Sequence, residues 1–77
     1  MSFKNRHEDV AALMSLQVGG TLYLNMFQDG GASVERVSET DFVLSEITLY
    51  GRAEIECGSF HIAQLPRMVD IVYDEFI

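Results

Sequence analysis

The stretch that decides the fold is Phe42-Val43-Leu44-Ser45-Glu46-Ile47-Thr48-Leu49-Tyr50-Gly51-Arg52-Ala53-Glu54-Ile55-Glu56-Cys57. Its β-formers predict a long strand over 42–50 and a partner strand over 53–57, joined across Tyr50-Gly51-Arg52. A three-residue loop sets Leu49 opposite Ala53, Ile47 opposite Ile55 and Ser45 opposite Cys57, one continuous small apolar face. The other face then carries Phe42, Leu44, Glu46, Thr48 and Tyr50 beside Glu54 and Glu56. Gly58 is expected to end or bulge the second strand.

Upstream, Leu22, Leu24 and Met26 alternate with Thr21, Tyr23 and Asn25, which predicts a strand over 21–28. Asp29-Gly30-Gly31 supplies a hairpin turn, since glycine accepts positive φ. As a three-residue loop with Gly31 as the bulge residue, it pairs Met26 with Val34 and Leu24 with Arg36 in a strand over 32–37. Ser38-Glu39-Thr40-Asp41 is a polar break.

Both ends of the chain predict helices. Asn5 as N-cap with Glu8 three positions on has capping-box spacing, Val10, Leu13, Met14 and Gln17 form a stripe, and Gly19-Gly20 stops it. From about residue 65 onward, Leu65, Met68, Val69, Val72 and Phe76 make an apolar stripe, with Arg67, Asp70, Asp74 and Glu75 off it. Pro66 suits a first helical turn. The expected architecture is a single α+β domain over 1–77, in the order α-β-β-β-β-α, with an antiparallel meander sheet and both helices on one face.

Composition narrows the function. The 77 residues carry 12 acidic and 5 basic side chains, net −7, and 48% are hydrophobic, too many for a disordered chain. A single cysteine forms no internal disulfide and fits a reduced, cytoplasmic setting. No apolar run approaches the ~20 residues of a membrane span, and Met1-Ser2-Phe3-Lys4 is not expected to open a signal peptide. Five scattered basic residues do not supply the phosphate neutralisation of direct nucleic-acid binding. A basic protein surface, including one that normally holds nucleic acid, is the favoured partner.

Motifs for catalysis are missing from the sequence. Cys57 stands four residues before His61, but its alternation with Glu54, Ile55 and Glu56 reads as a strand, so it is expected to be a small buried hydrophobe. His7 is expected on the surface at a helix start and His61 in a loop or helix entry beside Phe60, and neither has metal-ligand spacing. Gly19-Gly20 and Gly30-Gly31 serve turns, not a phosphate cradle. No catalytic residue, cofactor or metal is therefore assigned.

The carboxylates are more informative. In the register above Glu46 directly opposes Glu56, with Glu54 on the same face, and like charges so placed cost up to about 1 kcal/mol unless Arg36, Arg52 or Arg67 compensates. The group either solvates the sheet or forms an acidic recognition strip of Glu46, Glu54 and Glu56 flanked by Tyr50, Phe42 and Leu44.

The run Phe42-Val43-Leu44-Ser45-Glu46-Ile47, then Leu49-Tyr50-Gly51 and Gly58-Ser59-Phe60, resembles a strand–turn–strand–helix pattern of small phage and prophage proteins. Size, acidity and lack of catalytic motifs are similar to those of the accessory inhibitors of mobile elements, among them the anti-CRISPR proteins. That resemblance implies a non-enzymatic inhibitor that occludes a surface of its target in the host cytoplasm. The alternative is a self-associating module that homodimerises through an exposed apolar face.

Overall fold

The computed structural model describes residues 6–27, 30–48 and 53–75. The elements run α1 (Arg6–Met14), β1 (Thr21–Phe27), β2 (Gly30–Arg36), β3 (Asp41–Thr48), β4 (Ala53–His61), a 3-10 turn (Ile62–Gln64) and α2 (Leu65–Glu75). The four strands form one antiparallel meander in sequential order. This is the expected α+β arrangement.

The core lies between the two helices and one face of the sheet. Leu24, Ala32, Val34, Phe42 and Leu44 meet Leu13 of α1 and Leu65, Met68, Val69 and Val72 of α2, all of them buried. The predicted stripe of α2 is thus the packed one as far as Val72, and Phe76 lies outside the described residues. Each of these side chains larger than alanine contributes roughly 1.5–3 kcal/mol on burial, and the helices depend on it.

Helix α1 is rotated from the expected stripe. Leu13 is buried and Val10 packs against the core as expected, but Asp9 is buried and Leu16 packs there too, whereas Met14 is 53% exposed and Gln17 is exposed. A charged residue is ordinarily placed outward by periodicity. Here Tyr73 of α2 donates a hydrogen bond to Asp9, which makes its burial tolerable. Asn5, the expected N-cap, lies outside the described residues.

The β1–β2 register differs from the predicted one by an even step. Leu24 meets Ala32 and Leu22 meets Val34, so Leu24 does not face Arg36. Two contacts pin this alignment: Arg36 N–H donates to Gly20 O at 3.0 Å, and Gly19 N–H donates to Arg36 O at 2.6 Å. The irregularity sits between Leu24 and Phe27 on β1, not at Gly31. Because the slip is even, inward and outward residues keep their faces.

The β3–β4 register departs by an odd step, and that changes the surface. Leu44 meets Gly58 and Phe42 meets Phe60, but Ser45 meets Glu56, Glu46 meets Ile55 and Ile47 meets Glu54. Cys57 is the extra residue of a bulge beside Gly58, whose φ of +154° suits glycine. The predicted pairs Ile47–Ile55 and Ser45–Cys57 are not formed. Cys57 is accordingly exposed, with its thiol against Ile55 O at 3.4 Å, and is not the buried hydrophobe expected of an uninterrupted strand.

Candidate protein-binding face

The odd step at Cys57 sorts the carboxylates. Register puts Tyr23, Ser33, Ser45 and Glu56 in one cross-strand row on the face turned away from the helices, called the outer face here. Gly31, Ile47 and Glu54 form the row on one side, and Glu35, Val43 and Ser59 the row on the other. Asp41 and His61 close the same face at the strand ends. Four carboxylates thus share a surface on which no lysine or arginine occurs among the described residues.

The strip expected from sequence is therefore split. Glu46 pairs with Ala32 and Ile55 on the inner face and is half-buried there. Phe42 is 0% exposed in the core and cannot meet a partner. Both were expected beside Glu54 and Glu56, and the bulge moves those two to the opposite side of the sheet. The anticipated repulsion between Glu46 and Glu56 does not arise. Tyr50 and Arg52 lie outside the described residues.

Glu54 has a defined pose. Its Oε1 accepts from Ser33 Oγ at 3.1 Å, although β3 separates their strands. Two strand spacings are about 9.6 Å, so the side chain lies across the middle of the sheet. Beneath it the sheet centre is close-packed, with Ser33 at 4%, Ser45 at 8% and Ile47 at 8% exposure. Tyr23, the cross-strand partner of Ser33, is 54% exposed. Tyr23, Ser33 and Glu35 were not singled out by sequence, yet the inward alternation of Leu22 and Leu24 already implied that Tyr23 points out.

The described cations are employed elsewhere or lie on the helix layer. Arg36 donates from Nη1 to Met14 O at 3.2 Å and Leu16 O at 2.7 Å, from Nε to Ser38 O at 3.3 Å and from Nη2 to Glu39 O at 2.6 Å. It stacks over Phe42 at 5.2 Å, so it caps the carbonyl end of α1 and does not compensate Glu46. Arg6 pairs with Asp70 at 2.8 Å and Asp74 at 3.2 Å and lies over the Tyr73 ring. Arg67 is exposed on α2.

The remaining groups have local roles. His61 Nδ1 accepts from Ala63 N–H at 3.1 Å while its own N–H donates to Gln64 Oε1 at 3.0 Å, a capping box that opens the helical segment. His7 lines an open depression with Arg6, Val10, Ala11, Met14 and Pro66. Among the described residues no cluster of histidine, cysteine or carboxylate could hold a metal ion, and no helix is long and apolar enough to cross a membrane. No family model, curated protein or solved structure matches the chain.

Proposed function

We propose that this protein is a non-enzymatic binding module that occludes a basic protein surface, of the kind nucleic-acid-binding complexes carry, with the outer face of its sheet. The supporting observation is the company kept by Tyr23: Glu35, Asp41, Glu54 and Glu56 share its face with no described cation to quench them. An exposed aromatic ring amid unopposed charge combines apolar contact area with long-range attraction. The reading extends to an inhibitor acting in the host cytoplasm, in the manner of phage accessory proteins. The test is capture from lysate of the source organism by the wild type and by Glu54→Lys/Glu56→Lys. A partner whose retention falls with salt and is lost in the variant supports the proposal; equal retention by both overturns it.

Exposed Met14 and Val18 favour a second reading, self-association through the helix layer beside the depression at Val10 and Pro66. Light scattering near twice 8.7 kDa, insensitive to salt, distinguishes it.

A further inference from the structure

We infer that the free edge of β1 pairs with the same edge of a second copy of this chain, joining two four-stranded meanders into one continuous antiparallel sheet. Strands β1 and β4 are the two edges, since the strands stand in sequential order. They are not alike. Strand β4 is bent by its bulge at Cys57 and carries Glu54 and Glu56, both of which oppose the addition of a further strand. Strand β1, Thr21-Leu22-Tyr23-Leu24-Asn25-Met26-Phe27, contains no proline and is the one described strand without a charged residue.

Hydrogen bonding fixes which backbone groups face outward. Arg36 N–H donates to Gly20 O at 3.0 Å, so Gly20 and Arg36 stand at a hydrogen-bonded position of the β1–β2 ladder. Such positions alternate along an antiparallel pair. Leu22 opposite Val34 and Leu24 opposite Ala32 are therefore the bonded pairs, and Thr21 and Tyr23 occupy the positions between. The N–H and C=O of Thr21 and Tyr23 point away from β2, and no described residue takes them up. Both residues are exposed. An edge open in this way is a template for one more strand.

The sequence of β1 specifies the occupant. Set antiparallel about a twofold axis through Tyr23, the outward N–H and C=O of Tyr23 bond those of Tyr23 in the second copy. Leu22 then opposes Leu24 of the second copy as a non-hydrogen-bonded pair, with Cα atoms about 4.5 Å apart, and Thr21 opposes Asn25. Leucine meets leucine on the inner face, where Leu22 is only half-buried in its own chain. A chain of net charge −7 approaches its own copy most closely where neither contributes a charge, and among the described strands β1 is that place. The twofold contact uses both β1 edges and leaves only the bulged β4 edges, so assembly closes at the dimer. A contact over 21–25 is short, in the class of transient interfaces below about 1,200 Å², so the pairing is reversible.

The test is sedimentation equilibrium of the full chain from micromolar to millimolar concentration. The expected mass rises from 8.7 kDa toward twice that value. In a mixture of labelled and unlabelled protein, isotope-filtered NMR is expected to show contacts between Leu22 of one copy and Leu24 of the other. Tyr23→Pro removes the outward N–H without touching the β1–β2 ladder, so it abolishes pairing and keeps the wild-type circular dichroism. Should proline disturb the strand, Tyr23→Glu sets like charges against each other at the axis and weakens association at least about tenfold. A constant 8.7 kDa at millimolar concentration overturns the inference. So does a dimer that lacks the Leu22–Leu24 contact, or one that survives Tyr23→Glu and is broken by Met14→Glu on the helix layer.

Discussion

The phenol of Tyr73 on α2 donates a hydrogen bond to the buried carboxylate of Asp9 on α1, joining the two helices through one polar contact inside their interface. Burial, then the bond to Asp9 and its charge, push the Tyr73 phenol up to about 12. The folded state therefore favours the neutral phenol. That contribution is whole below the unfolded value near 10 and is lost as pH rises toward about 12. Tyr73→Phe removes the donor and leaves Asp9 without it, at a cost of about 1–3 kcal/mol at neutral pH. Urea denaturation of both proteins is expected to show the stability gap shrinking across the alkaline range. A gap constant with pH would remove Tyr73 as its source.

Arg36 does the corresponding work at the other end of α1. Its guanidinium satisfies carbonyls of Met14, Leu16, Ser38 and Glu39, tying the helix end to the β2–β3 turn. Arg36→Ala is expected to cost about 2–3 kcal/mol in chemical denaturation. Arg36→Lys recovers little of that loss, because one ammonium cannot reproduce the planar fork. Full recovery by lysine would reduce the interaction to charge at the helix terminus.

Helix α2, the strand order and the place of His61 at a helix entry were legible because each depends on local pattern, an apolar stripe, alternation and a break before a helix; the capping hydrogen bonds of His61 were not. The rotation of α1 was not, since Asp9 turns inward only because a tyrosine 64 positions away meets it. The acidic strip failed for a similar reason. Parity arguments carry a register across a whole strand, and one extra residue at Cys57 inverts every side chain on one side of it. Gly58 was a visible hint of a bulge, but a glycine does not say where the additional residue lies.

Cys57 follows from the bulge. As the exposed extra residue it packs no core, so Cys57→Ala is expected to change stability by less than about 0.5 kcal/mol. The thiol is expected to react with an aromatic disulfide reagent in the native protein without prior unfolding. Reaction only upon denaturation, or a cavity-sized loss of stability in the alanine variant, would place the residue inside.

The two faces of the β3–β4 hairpin can be separated by charge reversal. Glu46 adjoins Ala32 and Ile55 on the inner face, whereas Glu56 adjoins Ser45 on the outer one. Glu56→Lys is expected to weaken capture of a basic peptide by at least about tenfold, through loss of one attraction and gain of one repulsion, with the melt near wild type. Glu46→Lys leaves capture within about twofold, because its charge projects from the opposite side of the sheet and is screened over roughly 8–10 Å of saline. Glu46→Ile tests the same placement through stability: cross-strand contact with Ile55 predicts a gain of about 0.2–1 kcal/mol. Equal effects of the two lysine variants on peptide capture would mean that both glutamates share a face, a register that the bulge at Cys57 forbids.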